Sequence, residues 1–334
     1  MKHLLFSLGS LFLASTVNAY TPEFIYKPAS ALELSLPNQK VTGTHRDRFV
    51  KPYEVQRLTK NIYWISVANY NVTAVVGNKS VMLIDAPHGT GKNLLQAIKS
   101  FTDKPLSTIV YSHAHADHVG DSHVIAKQLA PKQLNILSST EVKNALETHK
   151  VTLPLKVTHT FDNTLKFEGH TIQVHDNFNG HTPDNTVFIL EEHGRKVIHA
   201  IDLVHPDQLE FRSFSNVEDA IAYKNDIDTL MALDWDVMVT GHSNLGYKAD
   251  VQFVQDYIID VQNFIRQGLE KTDFSKHFKG ESPFTWYAGY TNEIIDFAHK
   301  KMAEKYRKGR EEEFDIVAYS HVRVMFWAMF ARAL

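Results

Sequence analysis

Cysteine is absent from the 334-residue chain, so no disulfide staples it and no thiolate can bind a metal. Any metal site must be built from histidine and carboxylate. Those donors suit zinc, manganese or iron and exclude copper-thiolate and iron-sulfur chemistry. A basic excess is missing as well. The 35 Lys and Arg stand against 38 Asp and Glu, a formal net charge of -3, which argues against nucleic acid as a partner. Long apolar runs are scarce. The one near the start, Leu4 to Leu13, follows basic Lys2 and precedes Val17-Asn18-Ala19. It is shorter than the roughly 20 residues of a membrane span. Residues 1–19 therefore read as a signal peptide cleaved after Ala19. The expectation is secretion across the inner membrane, into a bacterial periplasm that the lack of disulfides also suits, with no stable membrane insertion. Solenoid repeats and low-complexity tracts are also missing.

What is present is a chain 43% hydrophobic and 22% charged, enough to bury a sizeable core. After a polar stretch to Lys51, alternating apolar residues mark strands at 55–59, 62–67, 72–76 and 80–84. Helical spacing follows from Asn93 to Phe101. A buried-strand run, Ser107 to Tyr111, then leads directly into a histidine cluster. The second half repeats this logic, with strands near 165–167, 171–174, 186–190, 196–201 and 237–240 and a helix around 218–233. Two strand-rich halves, each covered by helices, predict a layered α/β sandwich. Val251, Val254, Ile258, Val261, Phe264 and Ile265 continue at helical spacing, so the main domain is expected over 20–269. A helical C-terminal extension is expected over 270–334. Its last segment, from Val317, suits core packing or a homodimer contact better than a membrane surface, because Arg323 and Arg332 interrupt it.

The cluster is His113-Ala-His115-Ala-Asp117-His118. In chain leaving a strand, imidazoles two residues apart point to one side, while Asp117 and His118 begin the next turn. One metal takes the first pair and a second takes the other. Catalytic zinc takes three protein ligands and a water, so His113 and His115 require a partner, which His181 supplies from the turn Asn179-Gly180-His181-Thr182-Pro183-Asp184. There, backbone freedom at Gly180 is expected to aim the ring inward. For the second metal the chain offers Asp202, after the apolar run Val197 to Ile201, and His242, after Thr240-Gly241. Both follow strands, where open α/β folds place their chemistry.

Taken in order, the HxHxDH run, the Gly-His-Thr turn, the strand-end Asp and the final Gly-His resemble the metallo-β-lactamase superfamily, over roughly Tyr53 to Lys248. The resemblance implies a four-layer αβ/βα sandwich with two Zn2+ at one edge, Fe or Mn being the other metals the donors suit. It makes His113, His115 and His181 the first ion's ligands, Asp117, His118 and His242 the second's, and Asp202 the bridge. Asp85 matches a position that supports the ligands from behind.

The implied chemistry is hydrolysis of a small molecule by a metal-bridging hydroxide, with Asp117 orienting that nucleophile and handling its proton. Asp202 makes the site look like the thioester and lactone hydrolases of the superfamily, which favours an ester, lactone or related acyl bond. β-Lactamase activity is the first alternative, although the lactamase subclass with the similar Gly-His-Thr turn uses a Cys that this chain lacks. The second is a mononuclear iron, persulfide dioxygenase-like oxidoreductase using His113, His181 and Asp202. His88 and His205 are candidate pocket residues. The stretch before Tyr53 and the aromatic run from Phe274 to Tyr290 are candidate pocket walls; Trp286, Tyr287 and Tyr290 suit core packing better than a lid.

Overall fold

In a strand with both faces covered, alternate side chains must enter different cores, and Ile62–Val67 does this. Ile62 and Trp64 pack between two sheets, while Tyr63, Ile65 and Val67 pack against helices. The same division separates Met82 and Ile84 from Val81 and Leu83. Burial on both faces explains why these strands read as nearly continuous apolar runs. The computed structural model describes residues 24–43, 45–130, 133–150 and 154–332. The expected signal peptide lies outside the described residues.

A seven-stranded sheet runs in the spatial order Glu54–Arg57, Ile62–Val67, Tyr70–Val76, Val81–Ile84, Leu106–Val110, Asn135–Ser138 and His159–Thr160. Its first four strands are antiparallel neighbours and the rest are parallel. A five-stranded sheet follows the order Thr164–Phe167, His170–His175, Val187–Glu192, Arg195–His199 and Val237–Val239, with only the last pair parallel. Trp64, Met82 and Val110 of the first sheet meet Phe188, Val197 and Val239 of the second in one apolar cluster. Helices Gly91–Lys99, Ser122–Leu129 and Thr140–Thr148 cover the outside of the first sheet. Ala220–Ala232 and three long helices, Lys248–Lys271, Pro283–Tyr306 and Glu311–Ala331, cover the second. The architecture is the expected four-layer αβ/βα sandwich with a helical C-terminal region. Among the described residues no helix is long and apolar enough to cross a membrane.

The last helix buries Phe314, Val322, Met325 and Phe326 completely. Each contributes about 2 kcal/mol, so the helix is an integral part of the fold. The pocket-wall expectation for the two flanking stretches is not met. Ile25–Lys27 and Gln39–Val41 pair as a separate parallel ribbon, tied down by Lys40 between Asp207 and Asp250 at 2.5 and 2.7 Å. The aromatic run forms a 3-10 turn, Phe274–His277, and the first turns of Pro283–Tyr306. Phe274 there packs on Tyr287 and Tyr290, and Phe278 on Trp286. Pro283 suits that helix start because the first turn needs no N–H from it.

Candidate metal centre

The site begins with Asp85, which ends the strand Val81–Ile84 in the left-handed backbone region at φ +73°. Its carboxylate accepts the Ser112 N–H at 2.9 Å and the Ser112 hydroxyl at 2.7 Å. With its only proton given to Asp85, Ser112 Oγ accepts from His113 Nδ1 at 3.0 Å. That fixes the tautomer of His113 and leaves Nε2 as the free lone pair. Behind Asp85 stands His199, fully buried, with Nε2 at 3.3 Å from the carboxylate and Nδ1 at 2.9 Å from the Thr73 hydroxyl. The loop itself is pinned by Asp184, which accepts the Ala114 N–H at 2.8 Å. A one-turn helix, Ala116–Val119, then carries Asp117 and His118.

His181 reaches the cluster because Gly180 lies flat against the helix Ala220–Ala232. A Cβ on Gly180 would fall 2.1 Å from Tyr223 N and 2.2 Å from Tyr223 Cα, contacts that no side-chain movement relieves. Gly180 is not among the residues with positive φ. The expected reason for this glycine, backbone freedom, is therefore replaced by close approach. Asp226 on that helix accepts the Gly180 N–H at 2.6 Å. Gly241 plays a similar part, since a Cβ there would sit 2.1 Å from Asp202 Oδ1. Asp202 itself has φ +57°.

These elements bring the candidate ligands together. Ligand atoms of His113, His115, His181 and Asp202 lie within 4.8 Å of one another, and so do those of Asp117, His118 and His242. His181 Nε2 is 3.2 Å from His115 Nδ1. Asp202 joins the two groups. Its Oδ2 is 3.1 Å from His118 Nε2 and 3.4 Å from His181 Nε2, and its Oδ1 is 3.4 Å from His242 Nε2. The buried atoms His113 Nε2, His118 Nε2 and Asp202 Oδ1 have no hydrogen-bond partner. Polar atoms orphaned in a protein interior are rare, and several facing one another fit a cation that satisfies them together.

The electrostatics agree. Burial holds His113 well below the usual imidazole range and lowers His181 and His242 to about 4, so these rings are neutral and ready to ligate near neutral pH. Burial opposes charge on Asp202 too, but His118 and His242 hold it well below its ordinary value. His118 is the exception: burial would lower it, yet Asp202 outweighs burial and raises the ring to about 9, so a cation bound there has to displace its proton.

The ligand atoms open on a cleft of about 440 Å³, whose remaining walls are Asn69, Gln208, Phe211, Ser215 and Asn216. Asp117, with 46% of its side chain exposed, and His205 both face it. A neighbouring cleft of about 580 Å³ shares His115 and is edged by Glu141, Asn144, His149 and Glu218. His88 is not in either. Its backbone N–H is held by the Asp117 carbonyl at 3.0 Å, and its ring, 60% exposed, faces Asp121. Ser112, Asp184, His199, Glu210 and Asp226 were not anticipated. Only His199 carried a signal, as a histidine inside the apolar run 197–201, where burial demands a partner.

The profile of the metallo-beta-lactamase superfamily matches residues 66–242. The chain belongs to the metallo-β-lactamase superfamily. Among solved structures, a metallo-beta-lactamase from Pontibacter korlensis superposes with a TM-score of 0.52 at 19% identity, covering 61% of this chain and 97% of that one. That likeness speaks to the fold alone. No curated protein matches the chain. Superfamily proteins are generally metal-dependent hydrolases, with oxidoreductases and non-enzymes among them, so the side chains of the site must narrow the choice.

Proposed function

We propose that the protein is a two-zinc hydrolase that cleaves an ester, lactone or related acyl bond of a small molecule outside the cytoplasm. The observation that carries this reading is Asp202, whose two oxygens face different imidazoles, His118 and His181 on one side and His242 on the other. A single cation held by His113, His181 and Asp202 would leave Asp117, His118 and His242 converging on nothing. That convergence favours two ions over the one-iron oxidative alternative.

Zinc at such a site supplies a water acidified to a pKa near ~7 and polarisation of the attacked carbonyl. The protein supplies the rest. Asp85 and Ser112 hold His113 in the tautomer that presents Nε2. Asp117, partly open to the cleft and 3.5 Å from His118, orients the attacking water and carries its proton to the leaving group. Asn69, Gln208, Ser215 and Asn216 offer hydrogen bonds to a polar substrate, and Phe211 offers an apolar edge. Two clefts meeting at His115 suit a substrate with a group on each side of the scissile bond.

The test combines metal quantification with a panel of nitrocefin, lactones, aryl esters, phosphodiesters and sulfate esters, with His115→Ala as the blank. Two zinc ions per chain and zinc-dependent turnover of an ester or lactone are expected. Asp117→Asn should keep most of the zinc while losing about 10²–10⁴ in kcat. A panel with no metal-dependent turnover, or a fully active Asp117→Asn, would overturn the reading.

A further inference from the structure

His205 is buried, follows three residues after Asp202, and belongs to neither ligand set described above. Its surroundings are those of a metal ligand. Glu210, only 4% exposed, is committed to it on both oxygens: Oε1 accepts the His205 backbone N–H at 2.9 Å and Oε2 accepts from ring Nδ1. The Ser215 hydroxyl lies 3.3 Å from the same Oε2. A carboxylate that takes the Nδ1 proton fixes the tautomer, so that Nε2 holds a lone pair directed away from it. Metal-bound histidines carry this kind of support behind the ring.

The lone pair faces the cluster. His205 Nε2 is 3.9 Å from Asp202 Oδ1, beyond a hydrogen bond, and the ring stacks on His242 at 5.4 Å between centroids and 24° between planes. His242 Nε2 is 3.4 Å from the same oxygen. Ligand atoms of Asp202, His205 and His242 all lie within 4.8 Å of one another. Asp202 Oδ1 is buried with no hydrogen-bond donor. Two imidazoles, His205 and His242, therefore flank one oxygen that lacks a partner.

We infer that His205 is a further ligand of the second divalent cation, joining His118 and His242 from the side of Asp202 Oδ1. The inference rests on the two-metal reading above and assigns a residue to it. Two triads share His242, one with Asp117 and His118 and one with Asp202 and His205. An ion at His242 can draw imidazoles from both, His118 and His205, which leaves the Asp117 carboxylate for proton handling. An additional imidazole in place of carboxylate also favours zinc or cobalt over magnesium and manganese.

Zinc titration of the metal-stripped full chain by calorimetry tests this, using the wild type, His205→Gln and Glu210→Gln, each checked for folding by circular dichroism. The first equivalent should bind alike in all three. The second should weaken about a hundredfold or more in His205→Gln, and about tenfold or more in Glu210→Gln, where only the support is altered. A measurement free of variants is proton NMR of the wild type loaded with Co2+, in which a slowly exchanging, cobalt-shifted N–H bonded to Glu210 is expected from His205. Two equivalents bound with equal affinity in every variant, and no such signal, would overturn the role of His205 while leaving the two-metal reading intact. Binding of one equivalent or none by the wild type would overturn both.

Discussion

Asp226 carries a charge problem that the site depends on. The side chain is buried beneath the His181 turn, and burial raises its carboxyl from 3.8 to about 7 against the pull of the Gly180 and Asn179 N–H groups. The folded state thus binds a proton more tightly than the unfolded chain. The resulting stabilisation is complete below the unfolded value of 3.8 and is lost as pH rises towards 7. With allowance for solvent screening, the loss is of order 3 kcal/mol. Asp226→Asn keeps an oxygen to accept the Gly180 N–H and removes the titration. Its melting temperature relative to wild type, measured on metal-stripped protein, should climb between pH 4 and pH 7 and level off above. A difference independent of pH would refute the assignment. Asp226 could not be read from the sequence, since in the helix Ala220–Ala232 it is one polar residue among several. The ligands could, because His-x-His-x-Asp-His compresses four donors into six residues that no packing role requires. Gly180 falls between. The glycine was visible, but its reason depends on a helix backbone that only the fold brings close.

At the scale of elements, the wall of the cleft is made by an unusual turn. Ser213, Phe214, Ser215 and Asn216 take φ of +54°, +53°, +62° and +58°, consecutive left-handed residues with no glycine among them. Each costs about 1–2 kcal/mol, so the turn persists only because its neighbours hold it. The last helix does so. Ser320 accepts the Ser213 N–H at 2.8 Å, and His321 donates to the Phe211 carbonyl at 2.9 Å. Phe214 stacks on the His321 ring at 4.5 Å. His321 is thereby a positioning residue for Phe211, Ser215 and Asn216. His321→Ala should raise KM about tenfold, the worth of a lost buried hydrogen bond, with zinc content and kcat little changed. His321→Gln, which retains an N–H for the Phe211 carbonyl, should recover part of the loss. Unchanged KM in the alanine variant would show that the helix only packs. No hydrophobic period or glycine marks such a turn, which is why the reading of the sequence sought the pocket wall in the aromatic run 274–290 instead.

At the scale of the whole molecule, the ligands come from both sheets. His113, His115, Asp117 and His118 follow Leu106–Val110 of the first, while Asp202 and His242 follow the parallel pair Arg195–His199 and Val237–Val239 of the second. The central strands were legible because burial on two faces leaves long apolar runs. The short strands Asn135–Ser138 and His159–Thr160 were not, since their pattern is mixed and the second exposes both residues. Cations bound across the seam would tie the halves together without creating them, because each sheet already has its own helix-covered apolar cluster. Chelation should therefore leave the far-ultraviolet circular dichroism unchanged and lower the melting temperature. Free zinc at a thousand times Kd contributes about 4 kcal/mol, which corresponds to several degrees for a chain of this size. The decisive property is the concentration dependence. An ion that binds only the folded state must raise the midpoint steadily with the logarithm of free zinc above Kd, whereas one that screens surface charge saturates with ionic strength and is replaced by magnesium. Equal melting of stripped and zinc-loaded protein would mean that the convergence of His113, His181, Asp202 and His242 is not a metal site.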